Sequence, residues 1–288
     1  MYIMPSEATG TIKRIAAITM VRNDHFFLQK WVSYYGSQLG RENLYVLFDG
    51  KDQEVPEYCK GLHWHICDRA EGNVRQGDKR RIRIISSLAC KLFRDGYQAV
   101  IGGDADEYLV VDPSLGISLK EMISRLKGSS ASALGIDVGQ DTRTEMTLDT
   151  HKSVLSQRHA AKLSTRYTKA SIMLAPGSWG SGYHRQTRRN FSIVPGLYLF
   201  HIGMADLNTA NNKVVDLDLT LHGWDRHLSR RMRTITLCST RQARDFDRWT
   251  HLARTLQTWC RPPYAWNKPA MFNMDVIVSI PARFSDIL

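Results

Sequence analysis

Gln98-Ala99-Val100-Ile101-Gly102-Gly103-Asp104-Ala105-Asp106-Glu107-Tyr108 decides the fold. Its first five residues form an apolar run of strand length, and acidic side chains follow at once. Gly102 and Gly103 let the backbone approach a ligand closely. In an extended segment, side chains at i and i+2 point the same way, so Asp104 and Asp106 are expected to converge on one cation while Ala105 faces the fold. Glu107 is then expected to point the opposite way and to make a structural salt bridge or hydrogen bond. Two carboxylates at this spacing suit Mn²⁺ or Mg²⁺, hard ions that complete their shells with substrate phosphates. Three acids at the end of a buried strand are also costly unless something cationic meets them.

Upstream, the pattern alternates strand and helix. Residues 14–21 are a strand-length apolar run, followed by a polar corner at Arg22-Asn23-Asp24. Phe27, Leu28, Trp31, Val32 and Tyr35 then recur at helical spacing, with Asp24 placed as N-cap and Gly36 or Gly40 past the end. Residues 44–48 are a second buried strand, closing at Asp49-Gly50. Ile82, Ile85, Leu88, Ala89, Leu92 and Phe93 mark a second helix that feeds the strand before Asp104. Such an order predicts an α/β fold: a Rossmann-like, mostly parallel sheet flanked by helices, with ligands beyond the carboxyl ends of strands. Asn23, Asp49 and Asp104 fall at such ends.

Downstream the periodicity loosens. Ser118 and Glu121 form a capping box for a helix carrying Leu119, Met122, Ile123 and Leu126. Residues 131–138 suit another strand, whereas 153–198 are too mixed to assign. Phe246, Trp249, Leu252, Ala253 and Leu256 share one helical face, which Pro262-Pro263 ends. Two regions result: 1–205 as the catalytic domain and 206–288 as a helical, Arg-rich C-terminal extension packed on it.

The chain has 288 residues, 43% of them apolar, enough for a sizeable core. No long uncharged apolar run and no secretory pattern at the N-terminus is visible, so a cytoplasmic location is expected. The five cysteines are odd in number, scattered and never in C-x-x-C, which argues against a disulfide framework or a thiolate zinc site. A net charge of +11 implies attraction to something anionic: nucleic acid, a membrane surface or a phosphorylated substrate. Residues 226–261 carry nine arginines against Asp245 and Asp247, either a solvated helix face or a docking patch.

Val21-Arg22-Asn23-Asp24, Trp31, Tyr34-Tyr35 and Asp104-Ala105-Asp106-Glu107-Tyr108 together resemble family 2-like glycosyltransferases, in the branch near the family 92 (domain of unknown function 23) enzymes. The resemblance covers about residues 12–205. Asp24 stands where glutamate is usual, and Asp49-Gly50-Lys51-Asp52 departs from the common Asp-Asn-x-Ser-like sequence. It implies a GT-A fold and a metal-dependent enzyme that moves a sugar from a nucleotide diphosphate donor, of UDP or GDP type, with inversion. It places Val21, Arg22 and Asn23 against the nucleotide, Asp49 at base or ribose, and Asp104 and Asp106 at ribose and metal. Arg75, Lys79 and Arg80 would lie near the diphosphate, where cations and helix N-termini stabilise phosphate.

His201 sits in the apolar run 197–203, where a polar ring needs a partner, and a metal would supply one. Similar glycosyltransferases bring a late histidine to the metal. An inverting transfer also needs a base near the acceptor hydroxyl, and Asp137, ahead of Asp141, is the available carboxylate. His184 and Lys169 are candidates for donor or acceptor contact, and Trp179, Tyr183 and Trp224 for stacking on sugar rings. The acceptor would be a glycan or a lipid-linked sugar in surface polysaccharide synthesis, with peripheral contact at the inner face of an anionic membrane. A nucleotidyltransferase would want a Gly-rich loop after the first strand, which Arg22-Asn23-Asp24 is not. A nucleic-acid-binding protein fits the charge, yet shows no recognised module and has no use for Asp104-Ala105-Asp106-Glu107.

Overall fold

The computed structural model describes residues 12–69, 74–187, 191–215, 225–270, 272 and 274–288. Trp224 lies outside them, as do the side chains of Arg75, Arg226, Arg230 and Arg231.

Four parallel strands form the centre, in the order β3 (His63–Cys67), β2 (Leu44–Asp49), β1 (Ile15–Val21), β4 (Ala99–Gly102). Alternate residues of β1 face opposite sides. Ile15 and Ala17 join the core that receives helix α1 (His25–Leu39), and Ala16 and Ile18 join the core that receives α2 (Val74–Arg94). The two helices therefore cover opposite faces of the sheet, as right-handed β-α-β crossovers require. Gly40, at φ 90°, ends α1, but the side chain of Asp24 makes no capping bond there.

Beyond β4 the sheet continues through β8 (Lys169–Met173), β6 (Ser130–Gly139), β7 (Ala160–Leu163) and β10 (Ile277–Ser279). Each step there is antiparallel. Two further strands, β5 (Glu107–Val111) and β9 (Ile193–Met204), pair with each other, and β9 also runs parallel to β6. β1 to β4, β6, β9 and β10 share one direction, which makes this a mixed α/β fold with a mostly parallel sheet flanked by helices.

α3 (Leu119–Arg125) begins with the expected capping box, Ser118 and Glu121 each bonding the other's backbone. Helices α4 (Leu207–Val215), α5 (Asp225–Thr240) and α6 (Phe246–Trp259) follow β9. Phe246 and Ala253 of α6 enter the main core, whereas Leu252, expected on the same face, is 40% exposed. Thr250 and Gln257 take the buried positions instead, because the face that meets the sheet is rotated from the one the apolar residues suggest. None of the described helices is long and apolar enough to cross a membrane.

Candidate functional site

The site forms where β4 ends and the chain must turn back to start β5. The Glu107 N–H donates to the Asp104 carbonyl at 3.1 Å, closing a turn. The extended geometry expected for Asp104-Ala105-Asp106 is thus replaced by a turn, and Glu107 does not point away. Carboxylate oxygens of Asp104, Asp106 and Glu107 all lie within 4.8 Å of one another. Gly102 is demanded by packing: a Cβ there would sit 3.0 Å from the rings of Trp179 and Tyr183, which cover the strand end.

β9 lies between β5 and β6, and His201 is in register with Glu107 on one side and Asp137 on the other. Cross-strand neighbours share a face, so the three side chains form a row. His201 is 1% exposed and stacks on Tyr167 with centroids 3.8 Å apart. Its Nε2 lies 3.3 Å from Asp106 Oδ2, and its Nδ1 is 2.6 Å from Asp137 Oδ1. The other Asp137 oxygen accepts from the Thr234 hydroxyl on α5. Burial opposes charge on the imidazole, but Asp106 and Asp137 outweigh it and raise the ring to about 9. Gly203 lets this pair pack against its backbone: a Cβ would come within 2.5 Å of Asp106 Oδ2 and 2.7 Å of His201 Nε2.

Two cations enter from other elements. Lys169, 4% exposed at the start of β8, donates to Glu107 Oε1 and to Asp104 Oδ2 at 3.3 Å. Arg81 on α2 donates to Asp104 Oδ1 and, at 2.9 Å, to Asp78. Burial still pushes the Glu107 carboxyl up, to about 7, against the pull of Lys169. Three crowded acids thus share two fixed cations and one ring. The three carboxylates form an oxygen donor set that suits Mn²⁺ or Mg²⁺, and His201 Nε2 lies against one of them, Asp106.

The remaining expected residues distribute around this centre. Val21 ends β1 with Arg22 and Asn23 just past it, and Asp49 ends β2, beside the end of β4. Arg22 is a structural clamp, donating to the Asp49 carbonyl at 2.8 Å and to both oxygens of Asp52 at 2.9 and 2.7 Å. Asn23 adopts φ 51°, a left-handed conformation that asparagine tolerates, and exchanges two hydrogen bonds with Gln53. Arg80 turns to the Arg69 carbonyl. Lys79 is exposed and lines a cleft of about 600 Å³ between α2 and residues 178–181. Trp179 is buried, its indole N–H donating to the Ala170 carbonyl at 2.8 Å.

His184 is held neutral: burial and the nearby Lys169, Lys268 and Arg166 push it down to about 3, and its buried Nδ1 has no hydrogen-bond partner among the described residues. Asp141 stands apart, just past β6, with both oxygens on Arg143 at 3.0 and 2.9 Å.

Arg81 was missed by sequence reasoning, which named Arg75, Lys79 and Arg80. The available signal was its place beside Ile82 and four residues before Ile85, on the apolar face that turns toward the sheet. Lys169 was named, but nothing local to the sequence announced that it would meet Glu107.

No protein-family model matches the sequence, and no curated protein matches it. Among solved structures, the mannosyltransferase PcManGT from Pyrobaculum calidifontis, in complex with GDP-Man and Mn²⁺, is 10% identical with a TM-score of 0.41, over 75% of this chain and 64% of that one. The mannose-1-phosphate geranyltransferase from Thermus thermophilus is 10% identical with a TM-score of 0.31, over 76% and 64%. The bifunctional WbbM apo structure is 14% identical with a TM-score of 0.25, over 46% and 24%. This chain therefore spans less than two thirds of the length of each, and likenesses this low assign no residue a role.

Proposed function

We propose that this chain is a metal-dependent glycosyltransferase of GT-A type, akin to the family 2-like enzymes, moving a sugar from a nucleotide diphosphate donor to a glycan or lipid-linked acceptor. One observation carries the reading: Asp104, Asp106 and Glu107 converge at the carboxyl end of β4, beside the ends of β1 and β2, with His201 against Asp106. Strand ends of a parallel sheet are where nucleotides bind, and carboxylates there repel a diphosphate unless a cation stands between. Asp104, Asp106 and His201 would hold Mn²⁺ or Mg²⁺, which when bound neutralises charge on the departing diphosphate.

The protein's own groups do the rest. Val21, Asn23 and Asp49 flank the nucleotide, and Arg22 fixes the corner by clamping Asp49 and Asp52. Arg81 and Lys169 hold Asp104 and Glu107 in place and keep positive charge beside the phosphates. Asp137, with Thr234 behind it, orients His201 so that Nε2 faces Asp106. That role occupies both Asp137 oxygens, and Arg143 occupies both oxygens of Asp141, so an acceptor base for an inverting transfer drawn from either must exchange its partner, and Asp137→Asn and Asp141→Asn test the two. His184 and Trp179 border the donor sugar, the unpartnered Nδ1 of His184 being suited to a sugar hydroxyl. Residues 1–205 carry all of these groups, and 206–288 supply support such as Thr234.

The test is a thermal-shift screen with UDP and GDP, with and without Mn²⁺. Stabilisation that needs both nucleotide and metal, and that disappears in Asp106→Asn, supports the reading. Salt-sensitive binding to generic DNA with no nucleotide effect sinks it.

A further inference from the structure

The C-terminal end of α6 and the segment after it expose what a folded surface usually hides. Trp259 is 80% exposed, Tyr264 72% and Trp266 49%, three large aromatics within eight residues. They are not on a loose tail. Arg261 donates from Nε to the Thr258 carbonyl at 2.7 Å, and from Nη1 to the Ala265 and Trp266 carbonyls, which folds 258–266 into a compact knuckle. Asn267 Nδ2 then anchors the knuckle to the Gln186 carbonyl at 3.3 Å. The aromatics are therefore presented by a built scaffold.

Along the chain here the charge has one sign. From 248 to 274 the chain contains Arg248, Arg254, Arg261 and Lys268 and no acidic residue. Lys268 lies 5.6 Å from the Tyr264 ring centroid, and Arg185 is near enough to lower its pKa further than burial alone does. Tryptophan and tyrosine beside lysine and arginine are the side chains that settle at the headgroup level of a bilayer, ring in the acyl boundary and cation on the phosphates. Protein interfaces also enrich tryptophan, tyrosine and arginine but are depleted in lysine, which here lies beside the Tyr264 ring.

We propose that the 259–268 knuckle is a membrane-docking surface for an anionic bilayer. Its position gives the docking a purpose. Asn267 bonds the Gln186 carbonyl, and Gln186 Nε2 donates to the Ala170 and Ile172 carbonyls of β8, the strand that Lys169 begins, so the knuckle is tied to the element that supplies the lysine of the carboxylate site. A bilayer seated on the knuckle would bring a membrane-held acceptor within reach; that last step alone rests on the transferase reading.

Co-sedimentation with vesicles tests this, using phosphatidylcholine alone and phosphatidylcholine with about one third phosphatidylglycerol. Wild type is expected to sediment with the anionic vesicles and to be released by salt. The triple variant Trp259→Ser/Tyr264→Ser/Trp266→Ser is expected to lose more than about tenfold in partitioning, and Lys268→Ala about fivefold. Absence of vesicle binding, or equal binding by the triple variant, overturns the proposal. So does a wild-type dimer in light scattering that the triple variant converts to monomer, which would make the knuckle a self-association surface. Mn²⁺-dependent nucleotide stabilisation, measured on the same samples, reads the transferase reading separately and is expected to be unchanged in the triple variant.

Discussion

Two ionic clusters in this chain are built from the same residue types and behave in opposite ways. At the end of β5, Asp112 receives a two-pronged guanidinium from Arg283, at 2.9 and 3.0 Å, together with the Ser114 N–H at 3.0 Å. Arg283 also reaches Asp247 at the start of α6 and packs 5.0 Å from the Phe284 ring. Burial alone would raise the Asp112 carboxyl, yet these hydrogen bonds hold it below the ordinary range. At the end of β4, by contrast, Asp104, Asp106 and Glu107 crowd together, and burial drives Glu107 up to about 7 despite Lys169. The first cluster is a latch between β5 and the C-terminal segment, in which one guanidinium bridges Asp112 and Asp247. The second keeps acid density that folding alone does not need, which is how binding sites differ from structural ion pairs.

The sharpest way to break this comparison is Asp106→Asn. Transfer activity is expected to fall about 10³-fold, as when an electrostatic stabiliser is removed from a transition state, while the thermal midpoint without ligand holds or rises because crowding is relieved. A comparable loss of folded stability, measured in the same preparation, would make Asp106 structural. Next, Lys169→Met leaves Glu107 buried without its cation and is expected to cost about 3–5 kcal/mol in urea unfolding. Adding Glu107→Gln should recover much of that loss, whereas two additive losses would show that the residues do not act as a pair.

At the latch, Arg283→Met is expected to cost about 2 kcal/mol near neutral pH. Asp112 has a depressed folded pKa, so its stabilisation is present above the ordinary carboxylate value and is lost as pH falls through the folded one. The difference between wild type and Arg283→Met should therefore shrink below about pH 4, and a gap that widens in acid would contradict the assignment. Smallest of all, Ser118→Ala removes half of the α3 capping box and should cost about 1 kcal/mol.

Much of the parallel half was legible because its signals are local. β1, β2 and β4 are continuous apolar runs, α1 and α2 repeat every three to four residues, and the capping box declares itself in four letters. β3 was not: His63, Trp64 and His65 are exposed on an edge strand, which carries no apolar run. β7, β8 and β10 are short, and they are strands because β6 and one another pair with them across long stretches of chain.

The site divides in the same way. Asp104 and Asp106 could be named from the chain alone, since adjacency in sequence guarantees adjacency in space. His201 could be suspected, because a polar ring in an apolar run needs a partner wherever it lies. That the partners are Asp137 on one side and Asp106 on the other follows only from β9 lying between β6 and β5. Likewise Lys169 meets Glu107, and Arg81 meets Asp104, through sheet order and helix rotation. Sequence by itself determined the alternating strands and helices and the acidic strand end. Tertiary structure alone decided how those acids are folded into a turn and which cations answer them, because charge pairing acts over a few ångströms of space and takes no account of distance along the chain.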